Sequence, residues 1–279
     1  MIVDFHTHIF PGFFRKERDR FFLEEPAFES LYRSPKSTLV GCEELLRTMD
    51  EEGVDRSVIF GFPWENEAYF RRHNDYIIES IQRYPGRLIG FCCFSIHALH
   101  GAEEAARCLA AGLSGVGELA VYESGLSEKA VSGLADVMDV CLQRDVPVML
   151  HTNEPVGHQY AGKTEMTLRQ LYQLIKAYPS NRIVLAHWGG GLFFYALMKK
   201  EVGDLLTHVW FDTAASPYLY KPDIYRVAGD IIGEQKILFG SDYPLLKPGR
   251  YFGEMASVKL STSAVKRICG ENAARLLGL

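Results

Sequence analysis

The sequence predicts a (β/α)8 barrel, and three observations point to it. Eight short apolar runs recur along the 279 residues. Longer segments with helical periodicity separate them, and no shift of composition marks a domain boundary. A barrel of this kind needs about 250 residues, so residues 1–279 are expected to form a single domain. An open doubly wound sheet is the alternative, but it usually carries a glycine-rich phosphate loop after its first strand. None follows DFHTH.

The expected strands are, in order, IVDFHTH (2–8), DRSVIFGF (55–62), RLIGFCCFS (87–95), GVGELAV (115–121), VPVMLHT (146–152), RIVLAHW (182–188), HVWFDTA (208–214) and KILFGSD (236–242). Several are apolar on both faces, as a parallel strand covered by helices should be. Between them, CEELLRTMDEEG, DYIIESIQRY and KAVSGLADVMDVCLQRD carry apolar residues at 3–4 spacing with charges elsewhere, the pattern of an amphipathic helix. SAVKRICGENAARLLGL reads as closing helices. One stretch interrupts the rhythm: residues 10–40, rich in Phe, form a long insertion after the first strand. Loops of that length in compact domains are usually functional, so an ordered lid or a partner-contact segment is expected there.

Composition excludes several classes. Hydrophobic residues make up 47% and charged residues 23%, enough apolar material for a packed core. The net charge of −5 and the lack of a long basic run argue against nucleic acid. No apolar run reaches the ~18 residues of a membrane span, and Asp4, His6 and His8 fall where a secretory leader would have its apolar core. Six scattered cysteines without a CxxC pair read as reduced, buried thiols of a cytoplasmic protein. The expected partners are a small-molecule substrate and, at most, a second copy in a homodimer.

The chemistry begins at MIVDFHTH. Residues i and i+2 of a strand share a face, so His6 and His8 project together, and at a barrel strand's C-terminal end that face is the mouth, where active sites collect. Alone, such a pair is a weak signal. The other strand ends strengthen it: VPVMLHT carries His151, RIVLAHW carries His187 and KILFGSD carries Asp242. All five would converge on one mouth, and convergent His and Asp side chains are the material of a metal site.

With HxH on the first strand, His on the fifth and sixth and Asp on the eighth, the chain resembles the amidohydrolase superfamily. The HWGGG and GSDYP contexts resemble its amidohydrolase-related branch of metal-dependent hydrolases and decarboxylases. The resemblance implies a distorted barrel with a divalent metal, most often zinc. His6, His8, His151 and Asp242 would be its ligands and His187 a catalytic residue. The departure is on the fourth strand, where GVGELAV lacks the bridging lysine of many binuclear members and offers Glu118. Glu118 either bridges a second ion or serves a one-metal site, and one Zn2+ is the preferred reading.

Such a site activates water and polarises carbonyls, with Asp242 passing a proton and His187 assisting the oxyanion. The leading expectation is a hydrolase of an amide, ester or lactone of a small cyclic or carboxylated substrate. The alternative is a non-oxidative decarboxylase of an aromatic or muconate-like acid; the second alternative is a non-catalytic metal- or ligand-binding barrel. Phe10, Phe13, Phe14, Phe62, Trp64, Trp188 and Tyr243 either wall an aromatic pocket or pack the rim. Arg15, Arg18, Lys163, Lys247 and Arg250 are expected mainly at the surface, and His97, His100 and His158 near the mouth only as a minority reading. His208 should lie at the opposite end, and His73 is expected to be exposed.

Overall fold

All eight predicted strands form, and they pair in sequence order in one parallel sheet. The computed structural model describes residues 1–122, 125–198 and 200–279. The strands are β1 Val3–His8, β2 Arg56–Phe60, β3 Leu88–Cys92, β4 Gly115–Leu119, β5 Val148–Leu150, β6 Ile183–Leu185, β7 Val209–Asp212 and β8 Ile237–Leu238. The ends of the sheet meet around β1. The Phe5 N–H donates to Phe239 O (2.7 Å), the His8 N–H to Tyr243 O (2.8 Å) and the Asp242 N–H to His6 O (2.9 Å).

Two apolar layers account for strands that are apolar on both faces. Inside the barrel, Val3, Phe5, Phe60, Phe91, Met149 and Leu238 share one cluster, closed at the N-terminal end by Ala273 and Leu276 of the last helix. Asn272 Nδ2 locks that plug by donating to Ile237 O (2.8 Å). Outside, helices bury their apolar stripes against the strands. The insertion supplies α1 (Gly12–Lys16) and α2 (Pro26–Tyr32), and α3 (Cys42–Glu52) and α4 (Glu67–Arg83) flank β2. The start of α3 is capped by Glu44, whose carboxylate accepts the Gly41 N–H (3.0 Å), and the start of α4 by Asn66, which accepts the Ala68 N–H (2.9 Å). Each such cap stabilises its helix by about 1 kcal/mol.

The insertion is ordered by its aromatic content. Phe14, Phe21 and Phe28 are buried, and Phe14 stacks on Trp64 at 4.4 Å. Buried Glu25 ties it to the loop after β2 by accepting the N–H groups of Glu65 (3.2 Å) and Asn66 (2.8 Å). Trp64, Trp188 and Phe10 are likewise fully buried, so these rings pack the frame. All six cysteines are free and buried, and among the described residues no helix is long and apolar enough to cross a membrane.

His73 departs from expectation. It lies on the inward face of α4 and is completely buried, because the helical pattern turns it toward β1 with Phe70 and Ile77. Its Nε2 donates to Ile9 O (2.7 Å) and its Nδ1 accepts the Trp64 indole N–H (2.9 Å).

Two register irregularities distort the barrel. One lies in β1 between Asp4 and Thr7, the other in β4 between Val116 and Leu119. Bulges re-aim side chains next to functional sites, and these two contain His6 and Glu118.

Candidate metal centre

His6, His8, Glu118, His151, His187 and Asp242 come together at the C-terminal mouth. Three overlapping groups have donor atoms within 4.8 Å of one another: His6, His8 and Glu118; His6, His187 and Asp242; Glu118, His151 and His187.

Each residue is delivered by local backbone. His6 sits deepest, and Gly240, just after the neighbouring β8, must be glycine, since a Cβ there would lie 2.7 Å from His6 Cβ. After β6 the chain enters a left-handed turn in which His187 (φ 55°), Trp188 (φ 60°), Gly189 (φ 61°) and Gly190 (φ 59°) all have positive φ. Glycine adopts that region freely, whereas for His187 and Trp188 it costs roughly 1–2 kcal/mol each. Asp242 is also left-handed (φ 58°). Backbone strain of this kind is characteristic of functional positions, and HWGGG is legible as the turn that presents the His187 ring.

The imidazoles are pinned from behind by acceptors. His6 Nδ1 donates to Asp212 Oδ2 (2.8 Å), His8 Nδ1 to Gly61 O (3.1 Å), His187 Nδ1 to Ala214 O (3.0 Å) and His151 Nε2 to Gly162 O (2.9 Å). Carboxylates and carbonyls cannot donate, so those ring nitrogens carry the hydrogens. A neutral ring must then present a bare lone pair at its other nitrogen. These four faces meet each other and two carboxylates. His6 Nε2 and His8 Nε2 are 3.2 Å apart. Glu118 Oε2 lies 3.7 Å from each, and Asp242 Oδ1 lies 3.5 Å from His6 Nε2 and 3.4 Å from His8 Nε2. The other Glu118 oxygen faces His151 Nδ1 at 2.9 Å and His187 Nε2 at 3.3 Å.

With neutral rings this is a cluster of acceptors without a donor. Buried lone pairs at such distances repel unless positive charge sits among them. The local field has that sign. Burial lowers His6, but Asp212, Glu118 and Asp242 outweigh it and raise it to about 10. Burial also lowers His187, and its bond to Glu118 with the charge of Asp242 raises it to about 9. Burial would raise Glu118 and Asp242, yet the facing imidazoles hold both below the usual carboxylate range, Glu118 well below. A field that favours protons on imidazole favours a divalent cation at the same place. Nitrogen-rich donors with two carboxylates suit a transition-metal dication.

Two carboxylates with a part in this arrangement were not singled out from sequence. Asp212 accepts from His6 and also from the N–H groups of His187 (2.9 Å) and Ala214 (3.0 Å). Asp4, beneath His6, accepts the Ser241 N–H at 2.9 Å, and burial raises it to about 7. The available signal was an aspartate within an apolar strand, in HVWFDTA and IVDF. The other candidates take no part in these groups. His97, His100 and His158 are exposed. His208 lines a 310 Å³ cleft at the opposite end with Trp210 and Asn272. Arg15 pairs with Glu44 (2.8 Å), Lys163 with Glu154 (2.9 Å) and Lys247 with Glu51 (3.1 Å).

A parallel barrel with a histidine–carboxylate cluster at its mouth is the architecture of metal-dependent hydrolases and lyases. The chain belongs to the amidohydrolase family, whose model matches residues 3–279. No curated protein matches the chain. Among solved structures it is similar over its whole length to 5-carboxyvanillate decarboxylase from Sphingomonas paucimobilis (TM-score 0.76, 15% identity, 100% of this chain and 99% of that chain). It is also similar to the Novosphingobium aromaticivorans 5-carboxyvanillate decarboxylase complexed with manganese and 4-hydroxy-3-methoxy-5-nitrobenzoic acid (0.77, 17%, 100% and 96%). A third is the dihydroxybenzoic acid decarboxylase from Polaromonas sp. JS666 with bound manganese and the inhibitor 2-nitroresorcinol (0.71, 19%, 100% and 97%). At these identities the likeness establishes the fold.

Proposed function

We propose that the chain is a metal-dependent, non-oxidative decarboxylase of a small aromatic acid, acting as one barrel over residues 1–279. The observation that carries the reading is an acceptor-only cluster at the mouth of a barrel whose full-length structural neighbours include decarboxylases of aromatic acids. Those neighbours favour the carboxy-lyase over the hydrolase that the sequence put first. His6, His8, His151 and Asp242, with Glu118 between them, would hold one divalent cation. One dication matches the two carboxylates that face the bare ring nitrogens, Glu118 and Asp242. The neighbours' manganese makes the metal's identity a matter for elemental analysis rather than zinc by default.

When bound, the cation supplies positive charge that holds the substrate's carboxylate at the mouth. The protein then has two tasks. It must keep water from the ring, for which Phe60, within 5.1 Å of the His6 ring and 4.7 Å of the His8 ring, provides an apolar floor. It must also deliver a proton. The bond from ring carbon to carboxylate breaks, its electron pair stays on the ring, CO2 departs, and one proton takes its place on that carbon. Asp242 presents Oδ1 to His6 and His8 and keeps its second oxygen to carry that proton. His187 Nε2, across Glu118, holds and returns one.

The test is product analysis with metal-loaded protein. CO2 release from a hydroxybenzoate, with no heavy oxygen taken up from labelled water into the organic product, is expected. Label in the product of an ester, lactone or amide, without CO2 release from any acid, would instead establish hydrolysis. No turnover across the whole panel would leave a binding barrel.

A further inference from the structure

Above the metal centre the mouth is walled by rings from four different segments. Tyr32 ends α2 of the insertion, Phe62 follows β2, Tyr122 follows β4 and His151 follows β5. Their centroids are spaced 6.0 Å (Tyr32–Phe62), 6.0 Å (Phe62–Tyr122, planes within 2°) and 5.4 Å (Tyr122–His151). Phe62 is buried, while both tyrosines are only part-buried.

The two hydroxyls differ from those of their neighbours. The Tyr243 hydroxyl accepts from Thr48 (2.9 Å), Tyr251 donates to Ser241 O (2.6 Å) and Tyr160 donates to Glu154 (2.8 Å). Tyr32 and Tyr122 have no hydrogen-bond partner among the described residues. A tyrosine hydroxyl set in an apolar wall normally finds a partner. A phenol's ordinary value of about 10 keeps it neutral at neutral pH, and Tyr122 packs on His151 of the cluster.

We propose that Tyr32 and Tyr122 orient the substrate by hydrogen-bonding ring hydroxyls of a hydroxylated aromatic monocarboxylate. This rests on the decarboxylase reading and deepens it. Neutral phenols beside two carboxylates offer a second substrate carboxylate no charge partner, whereas a ring hydroxyl can donate to one phenol and accept from the other. The aromatic wall takes the ring's face. Electron-donating hydroxyls also suit the reaction, because they make the ring carbon basic enough to take the proton. The insertion thereby contributes a residue that touches substrate.

The experiment uses metal-loaded wild type, Tyr32→Phe and Tyr122→Phe, which remove one oxygen each and keep the ring. Resorcinol, benzoate and isophthalate binding is measured by calorimetry, and CO2 release is measured from 2,6-dihydroxybenzoate. Each variant is expected to keep its metal, to lose about 10-fold in resorcinol affinity and in kcat/KM for 2,6-dihydroxybenzoate, the scale of one hydrogen bond, and to bind benzoate as wild type does. Wild type should discriminate against isophthalate. Unchanged resorcinol binding in both variants, or equal losses for benzoate, overturns the orienting role even if CO2 is released. Tyrosine-dependent resorcinol binding without CO2 release from any hydroxybenzoate instead sustains the hydroxyl site and overturns the reaction assigned to it.

Discussion

His6 and His73 are both fully buried and both hydrogen-bonded, and His73 bonds the backbone at Ile9, three residues beyond His6, yet they meet burial in opposite ways. His73 has one partner of each sign: it donates to Ile9 O and accepts from Trp64. The neutral ring is satisfied, and burial depresses it to about 3. His6 donates to Asp212 and then faces His8, Glu118 and Asp242, all acceptors. Its neutral ring is left unsatisfied, and the field raises it to about 10. A buried histidine with complementary partners is a structural part. One with acceptors on both sides is waiting for a cation.

The strongest way to break the comparison is to remove His6. His6→Ala is expected to bring bound metal to background by elemental analysis and to lower turnover by about a thousandfold, the upper range for one electrostatic contributor. Wild-type metal content in that variant would take His6 out of the ligand set. His187→Ala should separate holding the ion from moving the proton. Metal content is expected to stay near one per chain while turnover falls by roughly 10²–10⁴-fold, the range of a general acid–base group. Loss of metal instead would place His187 among the ligands.

Asp212→Asn acts behind the ring. It preserves shape but has one acceptor oxygen where Asp212 uses two, so its NH2 opposes either the His6 Nδ1–H or the His187 and Ala214 N–H groups, and it removes the charge that makes His6 a strong donor to a cation. Metal affinity, read by chelator competition, is expected to fall by about 10–100-fold, as for other partners of ligating histidines. The same residue shows where the sequence stops being legible. The strand ends were readable because a polar residue after an apolar run breaks a simple pattern, and His6, His8, His151, His187 and Asp242 each do so. Glu118 stood out on β4 through the family resemblance, as the acid offered where many binuclear members carry a lysine. Asp212 and Asp4 lie inside the runs HVWFDTA and IVDFHTH rather than at their ends, so the one signal they give, an aspartate in an apolar run, does not tell which ring or N–H group it serves. The acceptor behind His8 is a backbone carbonyl, Gly61 O, and no side-chain pattern encodes it. The sense of His73 was lost differently. In α4 it lies between Phe70 and Ile77, and only the position of β1 decides that this side of the helix is the inner one. The insertion's phenylalanines read as an ordered segment, but that Tyr32 would reach the mouth depends on how α2 lies across β2.

The smallest expected effect tests the satisfied member of the pair. His73→Gln retains an acceptor for the Trp64 indole and a donor for Ile9 O but cannot titrate. At neutral pH its imperfect fit is expected to lower unfolding stability by about 1–2 kcal/mol, with metal content unchanged. The sign of the pH effect follows from linkage. His73 is depressed from 6.5 to about 3 in the folded chain, so between those values the unfolded chain binds a proton that the folded one does not. Wild-type stability is therefore undiminished by this group above about pH 6.5 and falls below it, by up to ~1.4 kcal/mol per pH unit. The variant lacks that contribution, so its urea midpoint should decline less steeply between pH 6.5 and 4, and the two curves should converge. Parallel curves would mean that His73 is charged in the folded protein, and the contrast with His6 would then have to rest on its partners' geometry alone.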